Sequence, residues 1–135
     1  MVDADLLRRK TAQILHHVDR LRRRASLSVA ALGADEDLYN AVLMDLQQGI
    51  QACVDLAIHA CVDDSLGAPA SAGDAFALLV RAGRIDAALG VKLTGAAALR
   101  NLIVHQYAEI DRAKILAVIR NDLVDLEMFA ARIRE

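Results

Sequence analysis

A chain of 135 residues with 56% apolar side chains has enough hydrophobic mass for one buried core and is short for two. A formal charge of −2 excludes a protein that coats nucleic acid through bulk electrostatics. The two cysteines, Cys53 and Cys61, lie eight residues apart on one predicted helix, about 12 Å along its axis, too far to pair with each other. They read as small buried thiols in a reducing cytosol, and no Cys/His spacing matches a metal site. No apolar run approaches the roughly 20 uncharged residues of a membrane span, and Asp3 and Asp5 at the N-terminus are unlike a signal peptide. Ala, Leu, Arg and Asp dominate, Pro occurs once and Trp is absent, so the expected fold is all-α.

In chain order, Leu7, Ile14, Val18, Leu21 and Ala25 recur at helical spacing and predict a first helix over about 4–30, closed by Gly33. The same stretch concentrates charge, because Arg8, Arg9, Lys10, Arg20, Arg22, Arg23 and Arg24 are seven of the sixteen basic residues. Such a run is commonly a solvated helix face and otherwise a patch for RNA backbone or an acidic partner. Asp35, Glu36 and Asp37 suit the start of a second helix. Its apolar positions, from Leu38 through Leu46 and Cys53 to Ala60, spread over a face broad enough for a central element. The segment 63–73, with Gly67 and Pro69, reads as the one sizeable loop. Ser71 and Asp74 have the spacing of an N-terminal cap for a short third helix that ends near Gly83. Asp86 is placed to cap a fourth helix and Asp111 the last, giving an antiparallel bundle of about five helices.

The most informative stretch is Arg100-Asn101-Leu102-Ile103-Val104-His105-Gln106-Tyr107. At 100° per residue, Leu99, Leu102 and Ile103 fall on one side of the helix, and Arg100, Asn101 and His105 roughly on the other. Asn101 and His105 are four apart, so the amide is placed to orient the imidazole, while Tyr107 borders the group two turns beyond Arg100. Cleavage of RNA by its own 2′-hydroxyl requires a base, an acid for the departing 5′-oxygen, and a cation for the charge that builds on phosphorus. Histidine and arginine supply these without a metal or cofactor. One copy holds one such imidazole for two proton transfers. A homodimer that opposes two of these helices supplies the second, although water or one imidazole in both roles also balances.

Arg100, four residues, His105, one residue and Tyr107, with Asn101 after the arginine, resembles the signature of the HepT toxins in the HEPN superfamily. The similarity continues through Glu109-Ile110-Asp111 and the closing helix with Asp122-Leu123 and Leu126-Glu127-Met128-Phe129. Leu99 departs from the pattern where an aromatic residue often precedes the arginine, and Gln106 occupies a variable position. The resemblance implies a HEPN-like helical domain over 1–135 that dimerises with its motifs facing each other and acts as a metal-independent endoribonuclease. Arg100 and His105 carry over as the catalytic pair and Asn101 as support. It further implies a toxin–antitoxin pairing with an MntA-like nucleotidyltransferase that silences the toxin by adenylylating Tyr107. Two alternatives stay open: a non-catalytic helical module that partners a nucleotidyltransferase, and a motif that serves dimer packing alone. His16, His17 and His59 carry no site role in this reading.

Overall fold

The structure, a computed structural model, describes residues 3–106 and 109–135. Seven α-helices and no strands occur among them: α1 (Ala4–Arg22), α2 (Val29–Ala34), α3 (Glu36–Asp63), α4 (Ala72–Arg81), α5 (Ala87–Gln106), α6 (Arg112–Asn121) and α7 (Leu123–Arg132). The all-α expectation holds, and two of the five expected helices are each divided.

The first division lies at 23–28. Past Arg22 the chain tightens into i→i+3 bonds, Arg24 N–H to Leu21 O and Leu27 N–H to Arg24 O. Ser28 then takes an extended conformation and accepts from Ala31 N–H at 3.0 Å, which starts α2. Arg120 of α6 donates to the carbonyls of Ala25 and Leu27, stabilising the break. Gly33 lies inside α2 instead of closing a long helix, and the extended Asp35 both ends α2 and caps α3 by accepting from Leu38 N–H. The second division is at Asp122, which separates α7 from the end of α6 at Asn121; both are residues of low helix propensity.

The remaining punctuation follows the sequence closely. Ser71 accepts from Asp74 N–H while the Asp74 carboxylate accepts from Ala70 N–H, a reciprocal cap that opens α4. Gly83, with φ +74°, closes α4 by donating to Val80 O as Arg84 N–H reaches Leu79 O. The same arrangement ends α3 with Ser65 in the left-handed region at φ +57°, and Leu66 N–H reaching Cys61 O. Since serine carries a Cβ, nothing in the composition of the loop singles this position out.

Helix α3 is the central element and packs against α1, α2, α4, α5 and α7. Its apolar positions surround most of its circumference, so a 28-residue helix meets neighbours on several sides. The buried side chains join one cluster, with Phe76 and Phe129 in edge-to-face contact at 5.8 Å. Helices α1 and α3 run antiparallel, as the pairs Lys10–Asp55 and His17–Asp45 require. Helices α4 and α5 are antiparallel too and approach closely: a Cβ on Gly90 would lie 2.6 Å from Val80 Cγ2. Helices α5 and α6, although consecutive, do not pack on one another.

One acid sits inside the α1–α3 seam. Asp45 is 3% exposed and accepts from Arg20 Nε at 2.9 Å, with His17 Nδ1 at 2.8 Å from the same oxygen. Gly49 leaves room for the ring, since a Cβ there would stand 3.3 Å from His17 Cβ. Removing one member of a buried ion cluster costs about 3 kcal/mol or more. Replacing both His17 and Arg20 by alanine strands the Asp45 charge, so this double variant is expected to fall furthest in a urea unfolding series, with Asp45→Ala alone about 3 kcal/mol below the parent.

Candidate active site

Arg100 to Gln106 of the motif occupy the last two turns of α5. That helix is set at its other end by Asp86, whose carboxylate accepts from Leu89 N–H at 2.7 Å. Leu89, Leu93, Ala97, Leu99 and Ile103 face the core. The opposite side carries Val91, Gly95, Ala98, Leu102 and His105, spaced four, three, four and three residues apart, and all of these are exposed. Leu102, expected on the core side with Leu99 and Ile103, is 38% exposed and belongs to this outer ridge. The helix is wide enough in angle that 102 falls on the far edge of the apolar arc, where no helix covers it.

Arg100 is half-buried, and Asn101 and His105 are exposed. Arg100 Nη1 donates to Asn101 Oδ1 at 2.6 Å, and its Nε is buried with no partner among the described residues. Asn101 therefore orients the guanidinium, not the imidazole as its i, i+4 spacing to His105 suggested. The physical reason is that a charged donor next in sequence is the stronger claimant on the amide oxygen. Tyr107 lies outside the described residues.

The far end of the α5–α6 connection is fastened to α3. Asp111 caps α6 by accepting from Ala113 N–H at 2.9 Å, and the Tyr39 hydroxyl donates to Ile110 O at 3.4 Å. The Arg112 guanidinium lies 4.2 Å over the Tyr39 ring. Burial holds the Tyr39 phenol above its usual pKa, partly opposed by the Arg112 charge. Neither Tyr39 nor Arg112 carries a motif, so sequence reasoning passed over both. Asp45 was missed for a different reason, because its partner is 28 residues away and no local spacing links them.

The other candidates disperse. His59 is exposed on α3, His16 is exposed on α1, and His17 is committed to Asp45. Of the basic run, Arg8 pairs with Asp5, Lys10 with Asp55, Arg20 with Asp45 and Arg22 with Glu127. Four of the seven members of that run are thus paired with carboxylates. Among the described residues no group of three His, Cys, Asp or Glu side chains could hold a metal ion.

Two apolar grooves flank the α5 ridge and share Val91, which is 73% exposed. One of about 330 Å³ lies toward α6, with Leu46 and Ile50 of α3 in its lining and Lys92, Lys114, Asp122 and Asp125 among its charged members. The other, about 470 Å³, lies between α4 and α5. By length and composition α5 is apolar enough to cross a membrane, although Lys92 and Arg100 interrupt it as the sequence reading required, and only 33% of its most apolar stretch is buried. Its packing on α3, α4 and α7 marks it as a core-lining helix with a second apolar surface to spare.

An antiparallel helical bundle with an arginine, amide and imidazole set along the exposed end of one helix defines a HEPN-type domain. A family model described as Ribonuclease HepT-like matches residues 14–133, and the chain belongs to that family. It is 35% identical over 95 residues to the mRNA nuclease HepT of Shewanella oneidensis, covering 70% of this chain and 71% of the relative. The fold matches the Shewanella oneidensis HEPN toxin, solved tri-AMPylated in complex with an MNT antitoxin, with a TM-score of 0.89 and 30% identity over 98% of each chain. A toxin–antitoxin solved with AMP-PNP is similar at a TM-score of 0.88 and 29% identity, over 97% of this chain and 99% of the other.

Thiol chemistry has no place in this site. Cys53 and Cys61 are both buried, and burial pushes both thiols up in pKa, reinforced at Cys61 by the Asp64 charge. Cys61 Sγ is also 3.4 Å from Ala75 O. The native protein at neutral pH is expected to resist Ellman's reagent, and both thiols to react once it is unfolded. Rapid labelling of the folded chain would contradict their burial.

Proposed function

We propose that this chain is the toxin of a HEPN–nucleotidyltransferase toxin–antitoxin pair: a cytosolic, metal-independent endoribonuclease whose site is completed by a second copy. Adenylylation of Tyr107 by an MntA-like partner silences it. The observation that carries this reading is the exposure of His105 at the end of an uncovered apolar ridge, with Asn101 exposed one turn earlier and holding the half-buried Arg100 guanidinium. The names of its relatives, an mRNA nuclease and an AMPylated toxin held by its antitoxin, support the same reading.

The ridge and its grooves are suited to a two-fold contact. The 4-3-4-3 spacing of Val91, Gly95, Ala98, Leu102 and His105 is the one that lets two helices cross at about 20° with side chains interlocking. Gly95 and Ala98 allow close approach, and each ridge has an apolar groove on either side to receive its counterpart. Lys92 and Lys114 share the rim with Asp122 and Asp125, a patch that is complementary to itself after a two-fold rotation. An axis near Leu102 opposes the two motifs across one cleft.

In such a cleft one His105 accepts the proton of the ribose 2′-hydroxyl as the oxygen attacks phosphorus. The other His105 gives a proton to the 5′-oxygen as the P–O5′ bond breaks, leaving a 2′,3′-cyclic phosphate and a 5′-hydroxyl. Arg100, oriented by Asn101, holds the phosphate and the charge that grows on it. Adenylylation of Tyr107, seven residues after Arg100, sets a phosphodiester charge and a bulky nucleoside in competition with RNA.

The unmodified protein is expected to cut RNA in EDTA, and His105→Ala to lose about 10²–10⁴-fold in rate. RNA left intact by the parent would favour the non-catalytic module instead. Leu102→Glu is expected to give monomers in size-exclusion chromatography and to lose cleavage with them; monomers that cut at the parental rate would reject a composite site. Mixed with a cognate nucleotidyltransferase and ATP, the parent should gain the mass of AMP and Tyr107→Phe should not. Unchanged adduct on that variant would move the modification elsewhere.

A further inference from the structure

Two arginines bracket the α5–α6 connection, and both are held by neutral groups. Arg100 is fixed by the Asn101 amide and Arg112 by the face of Tyr39. By contrast Arg8, Arg20, Arg22 and Arg84 each meet a carboxylate. The difference is chemical. A carboxylate both orients and neutralises a guanidinium, whereas an amide oxygen or an aromatic face orients it and leaves the full positive charge for an outside anion.

Tyr39 is itself well anchored, 4% exposed in the core with its hydroxyl on Ile110 O, so the platform under Arg112 is rigid. The neighbouring acid, Asp111, is turned to the helix start, where it accepts from Ala113 N–H. Arg112 remains half-exposed above the ring. Six residue steps separate Gln106, beside His105, from Arg112, so the two lie at most about 22 Å apart. A strand of a few nucleotides covers that distance.

We propose that Arg112, stacked on Tyr39, is a second phosphate subsite that binds RNA several nucleotides away from the scissile bond. This rests on the ribonuclease reading above and deepens it: the substrate is a single strand long enough to reach from His105 to the start of α6. Arg112 then contributes to binding of long RNA and little to the chemical step. Its contribution is electrostatic and therefore visible in salt dependence.

The test compares Arg112→Gln with the parent on a dinucleotide and on an RNA of about a dozen nucleotides that share one cleavage site. On the longer RNA the variant is expected to lose about tenfold in kcat/KM through KM, and the slope of log KM against log salt to fall by about one. The deficit should narrow on the dinucleotide, and Arg112→Lys, which keeps the charge, should retain the parental slope. An equal deficit on both substrates with an unaltered slope would make Arg112 a structural residue and overturn the inference, as would no deficit on the longer RNA. Absence of cleavage by the parent would instead refute the ribonuclease reading.

Discussion

Helix α5 cannot satisfy its apolar surface within one copy of the chain. Its inner side is held by α3, α4 and α7, yet α6, which follows it directly, leans away and leaves a groove where a neighbouring helix would ordinarily pack. The outer ridge of Val91, Gly95, Ala98 and Leu102 therefore faces solvent, and its exposure weakens burial-driven stability in an isolated chain. Because His105 ends this same ridge, whatever covers the ridge also determines what surrounds that imidazole. Packing and chemistry are coupled through one helix.

The charge distribution shows the complementary economy. The N-terminal basic run looks like a nucleic-acid patch when read along the sequence, but α3 and α7 return carboxylates to several of its members: Asp55 to Lys10, Asp45 to Arg20, Glu127 to Arg22. Those arginines and lysine contribute to holding α1 in place more than to recognition. Around the end of α5 and the start of α6, Arg100 and Arg112 are instead held by an amide and an aromatic face. A net charge close to balance is thus compatible with cations held in different ways at the two ends of the chain.

What the sequence made legible was set by how local each cause is. The capping residues Asp35, Ser71, Asp86 and Asp111 act within three residues of themselves, and Gly83 announces its own left-handed turn, so these boundaries could be read directly. The breaks at 23–28 and at Asp122 could not, because apolar periodicity continues through both and the first is stabilised by Arg120, which is distant in sequence. The motif itself was legible as a set of residue types. Its internal wiring was not: Asn101 can reach either Arg100 or His105, and the selection of the guanidinium depends on where the partly buried Arg100 side chain is allowed to lie. Asp45 and Tyr39 became meaningful only when α1 and the residues that open α6 were brought to α3.

The contact between Gly90 and Val80 has an evolutionary corollary. With a Cβ at position 90 only 2.6 Å from a valine methyl, α4 and α5 are fixed at a separation that admits no side chain there. Descendants of this chain should keep glycine at 90, or acquire alanine there together with a smaller residue at 80, because either change alone leaves a clash or a void. Covariation between these two positions would be the inherited trace of that spacing.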